Sequence, residues 1–144
     1  MSIWFKNFTP ADANTVNAKT MVDHCGIKIT DVRDSEIVGT MPVTDAVKQP
    51  FGLVHGGANC VLAETLGSLA AYQTLDPTKY NAVGLSITTN HTKAVRSGVV
   101  TGVAKPVRLG RKIQVWDIKT FNGDDEITSV TLFTVSIIPI QKKP

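Results

Sequence analysis

Two cysteines, two tryptophans and two tyrosines are few for a chain of 144 residues, and each scarcity excludes something. Cys25 and Cys60 make no disulfide framework and lack CxxC spacing, so two reduced thiols are expected rather than a stapled secreted scaffold. No apolar run approaches the ~18 residues that a membrane-spanning helix needs. Met1 to Phe8 shows no basic segment followed by an apolar one. No membrane partner and no secretory signal are therefore expected, and the location is read as cytoplasmic. The charge imbalance is small, with Lys+Arg 15 against Asp+Glu 12. That is too mild for the dense basic stripe of a nucleic-acid binder. No GxGxxG, Walker A, HExxH, GxSxG or paired Cys/His pattern occurs, so neither a cofactor nor a metal is expected.

What is present suits one globular unit over residues 1–144, with no repeat or linker. Hydrophobic residues at 42% against 19% charged exclude disorder. Thr9-Pro10-Ala11-Asp12 reads as a helix start, with a short helix to about Thr20. Ile27 to Val32 and Glu36 to Val43 alternate as a hairpin about Asp34-Ser35. From His55-Gly56-Gly57 the pattern is helical through Tyr72 and stops before Asp76-Pro77. Strand patterns follow: Val83 to Asn90, Val99 to Val103, Arg111 to Phe121 and Ile127 to Ile138. Pro106 and Gly110 are expected to bracket a turn. Strands joined by short turns pair mostly antiparallel, so the expected class is α+β with one long helix on a sheet.

That helix is the unusual element. At ~100° per residue, Val61, Leu62, Leu66, Leu69 and Tyr72 share a face expected to pack on the sheet. The other face carries Cys60, Glu64, Gly67 and Ala71. Glu64 is the only charged side chain between Ala58 and Tyr72. Cys60, Val61, Gly67 and Ser68 stand at its i±3 and i±4 neighbours, so no cation pairs it within the helix. A carboxylate so placed is used in chemistry or meets a distant cation at a subunit boundary. Free N–H groups at a helix start favour negative charge, and Gly56-Gly57 clears side chains from that terminus. A carbonyl oxygen could reach the Gly57 N–H there. Taken alone, His55 reads as a hydrogen-bonded structural residue and Gly56-Gly57 as a tight turn; taken together, Gly57, His55 and Glu64 form an oxyanion donor, a polar positioner and a carboxylate about two helical turns apart. Cys60 lies on the Glu64 face without a histidine partner in the helix, which makes a thiol nucleophile the poorer choice.

Gln49-Pro50-Phe51-Gly52-Leu53-Val54-His55-Gly56-Gly57, then Leu62-Ala63-Glu64 and Ser68, resembles the signature of hotdog-fold acyl-CoA thioesterases. The nearest branch holds phenylacetate-pathway, enterobactin-proofreading and 1,4-dihydroxy-2-naphthoyl-CoA thioesterases. The likeness continues through Asn90-His91 and Lys105 to Trp116, covering roughly residues 20–138. It implies an antiparallel sheet wrapped around one central helix, a homodimer with its site at the subunit interface, and commonly a homotetramer. It implies Glu64 as the catalytic carboxylate and the Gly57 N–H as the group polarising the thioester carbonyl. His55 and Gln49 would orient thioester or water, and Ser68 would support water or carboxylate. Whether Glu64 activates water or attacks to form an anhydride stays open.

Substrate contacts are expected from Val54, Gly84, Ser86, Asn90, His91, Lys105, Arg108, Gly110 and Arg111. The cations, with Lys112, suit the phosphates of coenzyme A, to which guanidinium forks bind bidentately. The implied substrate is a coenzyme A or carrier-protein thioester. Ala58, Gly67 and Ala71 leave room for a flat ring, which favours an aromatic acyl group such as hydroxybenzoyl or dihydroxynaphthoyl. The alternatives are an acyl-CoA-binding module that does not cleave, and a dehydratase or hydratase on the same fold.

Overall fold

The computed structural model describes residues 1–141. Two short helices, α1 (Pro10–Thr15) and α2 (Met21–His24), precede strands β1 (Lys28–Val32) and β2 (Ile37–Pro42). A 3-10 turn at Asp45–Val47 leads to the long helix α3 (Gly56–Gln73). Strands β3 (Tyr80–His91), β4 (Val99–Leu109), β5 (Ile113–Phe121) and β6 (Ile127–Pro139) follow. All six form one antiparallel sheet in the order β1-β2-β4-β5-β6-β3. Helix α3 contacts β2, β3, β4, β5 and β6, so the sheet curves around it. This is the expected architecture.

The helix start at Thr9 has the predicted chemistry. Thr9 Oγ1 accepts from the Asp12 N–H, and Asp12 Oδ2 accepts from the Thr9 N–H. The helix to Thr20 does not form as one piece: α1 ends at Thr15, Lys19 takes φ 61, and α2 starts afresh. Asn14 explains the early stop. Its side chain donates to Ile29 O and accepts from Ile29 N–H, both at 2.9 Å, and so staples α1 onto β1. Pro106 also differs from expectation, since it lies inside β4 opposite Trp116. It is tolerated because β2 pairs β4 only as far as Ala104, which leaves Pro106 no ladder bond to supply on that side. The hairpin turn is instead at Gly110, whose N–H donates to Ile113 O at 3.0 Å.

Helix and sheet meet at close range because glycines line the contact. Gly39 of β2 and Gly102 of β4 are cross-strand partners. A Cβ on either would lie 2.7 or 2.6 Å from a Leu66 methyl, so Leu66 fills the slot above both. Gly67 meets the Phe133 ring in the same way, with Cδ1 2.6 Å from its absent Cβ. Leu62, Leu66, Trp116, Ile118 and Phe133 are buried at this contact. The expected helix faces were therefore rotated. Gly67 and Ala71 point into the core, and Tyr72 is 42% exposed. Trp4 stacks on Trp116 at 6.5 Å, and its indole N–H donates to Arg33 O at 2.7 Å, so the N-terminal segment covers that end of the core.

Candidate active site

The start of α3 is held by the preceding loop. The Val54 N–H donates to Val95 O and the His55 N–H to Val47 O, both at 2.8 Å. His55 is the N-cap, and its Nδ1 accepts from the Gly57 N–H at 2.8 Å. The N–H that was expected to face a ligand is thus occupied by a neighbouring side chain. That contact requires Nδ1 unprotonated, with the ring proton on Nε2. Gly56 has a distinct role. A Cβ there would lie 2.9 Å from His91 Nε2, so the His91 ring seats on the bare backbone of the helix start.

A cavity of 320 Å³ opens beside this terminus, lined among others by Gln49, Val54, Gly56, Asn59 and His91. The structure therefore gathers Gln49, expected to orient thioester or water, with two of the expected contact residues, Val54 and His91. Gln49 Oε1 accepts from the Phe51 N–H, which folds its side chain onto its own loop. The turn is completed by Gly52 in the left-handed region at φ 81. Asn59 was not foreseen. It is 5% exposed, and its Nδ2 lies 3.4 Å from His91 Nδ1. Its Oδ1 is the one buried side-chain polar atom without a partner among the described residues. The signal was available: asparagine disfavours a helix interior because it competes for backbone hydrogen bonds, so a buried one asks for a partner.

Glu64 is exposed, and no ion pair or side-chain hydrogen bond engages it among the described residues. It shares with Ser68 a 250 Å³ cavity whose other walls are Met21, Val22, Val61 and Thr65. The walls from α2 were not read from sequence. Ala58, Gly67 and Ala71 do not line this cavity; they pack into the core, so the room beside Glu64 comes from other residues. Cys60 lies one turn earlier with its thiol 3.4 Å from Thr89 Oγ1. Gly84 of β3 comes up against the carboxylate, with Glu64 Oε1 2.8 Å from the position of its absent Cβ. From Gly57 to Glu64 the helix climbs ~10.5 Å, and the two cavities share no lining residue.

The cations divide. Lys105 Nζ lies 2.7 Å from Glu36 Oε1, and Arg33 Nη1 lies 2.9 Å from Glu36 Oε2. The Lys105 hydrogen bond, with help from Arg33 and against burial, holds the Glu36 carboxyl below its ordinary range. Lys105 is therefore committed to a carboxylate. Arg108, Arg111 and Lys112 have no ion pair among the described residues. Arg111 and Gly110 line a third cavity, of 370 Å³, with Phe5, Thr74, Tyr80 and Ile137 at the far end of α3. Ser86 and Asn90 are exposed on β3 and line neither of the two cavities along α3. The described residues contain no group of three or more potential metal-binding side chains, and no helix long and apolar enough to cross a membrane.

Known proteins match this geometry. A family model described as the thioesterase superfamily matches residues 51–129. The 1,4-dihydroxy-2-naphthoyl-CoA hydrolase of Escherichia coli is 38% identical over 94% of this chain and 99% of its own. The proofreading thioesterase EntH of Cronobacter sakazakii is 43% identical over 83% of this chain and 87% of its own. The crystal structure of a thioesterase from Haemophilus influenzae superposes with a TM-score of 0.94 at 41% identity, covering 97% of each chain. A variant thioesterase from Pseudomonas aeruginosa gives 0.95 at 37% identity, covering 96% of this chain and all of its own. The sheet-wrapped helix and these matches together place the chain in the thioesterase superfamily, as a hotdog-fold thioester hydrolase.

Proposed function

We propose that this chain hydrolyses the thioester of an aromatic acyl group carried on coenzyme A, with Glu64 as the acting carboxylate. The observation that carries the proposal is Glu64 itself: a carboxylate with no ion pair, on the open face of α3, with Ser68 beside it in a mainly apolar cavity. An apolar wall of Met21, Val22 and Val61 suits an acyl group and not a charged one. One relative, the Escherichia coli hydrolase, supports an aryl-CoA substrate in name.

In the reaction, Glu64 draws the proton from a water as its oxygen attacks the thioester carbon, or attacks that carbon itself to give an anhydride that water then opens. Either way the carbonyl oxygen gains charge and the C–S bond breaks to release the thiol. The Gly57 N–H is the donor placed for that charge. It becomes free when the His55 ring turns away, a side-chain rotation that an exposed histidine makes on a picosecond to nanosecond scale. Gln49 and His91 face the thioester from the loop and from β3. Arg108 and Arg111 take the phosphates of coenzyme A. Glu64 stands ten residues before Thr74, about 15 Å of helix rise, a span that an extended phosphopantetheine arm covers.

One chain does not complete this site, because ~10.5 Å of helix separates its Gly57 from its Glu64 and a thioester carbonyl must touch both groups. A second copy supplies the missing half. Strand β3 is a sheet edge, with Val83 46% and Leu85 62% exposed. Such an edge pairs readily with another strand. Edge-to-edge pairing sets Glu64 of one copy against the helix start of the other, in a homodimer that can pair again into a homotetramer.

The test is thiol release from benzoyl-, dihydroxynaphthoyl- and hexanoyl-CoA, with sedimentation to fix the assembly. Glu64→Ala should lower kcat about 10²–10⁴-fold, with the aryl thioesters preferred in wild type. Equal turnover by wild type and Glu64→Ala, or thioester binding without thiol release, would overturn the reading.

A further inference from the structure

An exposed carboxylate with no ion pair needs something to hold it in one place, and the backbone of β3 offers that. We propose that Gly84 is a positioning residue of the site, whose missing side chain is the seat of the Glu64 carboxylate; this rests on the reading of Glu64 as the acting group. Glycine is poor in a strand, where it has no side chain to pack and loses the most conformational freedom. Inside a strand it commonly marks a close approach by another group. Conformation does not require it at this position: the positive-φ glycines are Gly26, Gly52 and Gly98, and Gly84 is not among them. Space does. A Cβ on Gly84 would lie 2.8 Å from Glu64 Oε1, and 3.2 and 3.3 Å from Phe133 Cζ and Cε2.

The other side of the seat is rigid. Phe133 is 1% exposed, and Gly67 of α3 admits its ring on the opposite side, with Cδ1 2.6 Å from the absent Gly67 Cβ. Gly67 stands three residues after Glu64, so the turn of α3 that bears the carboxylate is the turn that grips Phe133. Gly67, Phe133 and Gly84 thus form a stack from helix to edge strand, and Glu64 closes it from the open side. The Leu85 bulge in the β3–β6 ladder follows at once, between Gly84 and Ser86. Of the atoms that meet a new methyl on Gly84, Glu64 Oε1 is the end of a flexible chain and yields first. Phe133 gives by only a few tenths of an ångström.

The substitution is Gly84→Ala, read with Glu64→Ala and Glu64→Asp on the same aryl-CoA substrate. A displacement of about an ångström should cost Gly84→Ala roughly 10–100-fold in kcat. Its KM and its affinity for a non-hydrolysable thioether analogue should stay within about threefold, and its melting temperature should not fall, because alanine suits a strand better than glycine. In the Glu64→Asp chain, whose carboxylate stops one methylene short of the seat, Gly84→Ala should change the rate less than about twofold. Wild-type kcat in Gly84→Ala beside an inactive Glu64→Ala would overturn the positioning role and leave the functional reading intact. A rise in KM at constant kcat would make Gly84 a substrate contact instead, and a fall in melting temperature that matches the rate loss would make it structural. Full activity in Glu64→Ala would overturn the functional reading itself.

Discussion

Leu66 offers the sharpest test of how the helix is docked on the sheet. Its side chain is fully buried above the cross-strand pair Gly39 and Gly102, with methyls 2.7 and 2.6 Å from where their Cβ atoms would stand. Leu66→Ala removes atoms from a floor of strand backbone, which cannot collapse to refill the space. The expected loss is about 3–5 kcal/mol, the upper part of the range for buried leucines. Gly102→Ala makes the opposite error, driving a methyl into Leu66, and should cost about 1–3 kcal/mol. Combined, the two errors compensate. The new methyl enters the space that the leucine left, where the next atoms, Leu62 Cγ and Cδ2, stand at 3.3 and 3.4 Å and need give by only a few tenths of an ångström. The double variant should therefore be more stable than the sum of the single losses by about 1–2 kcal/mol. Urea unfolding followed by far-ultraviolet circular dichroism measures all four corners of the cycle. It should be run at two protein concentrations, because assembly adds a concentration-dependent share to stability. Single losses that add to within about 0.5 kcal/mol would refute the seating of Leu66 on Gly102.

Two further outcomes follow from other contacts. Gly56→Ala should displace the His91 ring, since its Cβ would lie 2.9 Å from His91 Nε2. Alanine is the better helix former by ~1 kcal/mol, so kcat/KM should fall without loss of melting temperature, and an unmoved His91 ring resonance in NMR would contradict the contact. Glu36, held below its ordinary value of 4.5 by Lys105 first, contributes stability above that value and loses it as pH falls through the lower folded one. Wild type should therefore melt above Glu36→Gln at pH 7, and the gap should narrow as pH falls below 4.5; a gap that stays constant through that descent would show that the Lys105–Glu36 contact adds nothing.

Which features were legible in the sequence follows from how local their causes are. The helix start at Thr9 and the strand that ends at Phe121 are set by residues a few positions apart, and both were read correctly. So was the isolation of Glu64, because helical neighbours at i±3 and i±4 are countable from the sequence alone. The direction of Gly67 was not. A small residue on a helix admits either a foreign group or a close-packed sheet, and Phe133, far along the chain, makes it the second. The partner of Lys105 was hidden for the same reason. Glu36 stands 69 positions earlier and reaches it only through the β2–β4 ladder, where Ile37 pairs Ala104. The start of α3 is the instructive middle case. His55 and Gly57 are two residues apart, the spacing at which an N-cap side chain accepts from the first turn. Histidine is not among the usual capping residues, so the N–H was read as free, while in the structure Nδ1 fills it at 2.8 Å. The same N–H is therefore wanted by the cap and by the carbonyl oxygen of a thioester. A substrate that turns the His55 ring outward would therefore expose the donor at the moment it is needed.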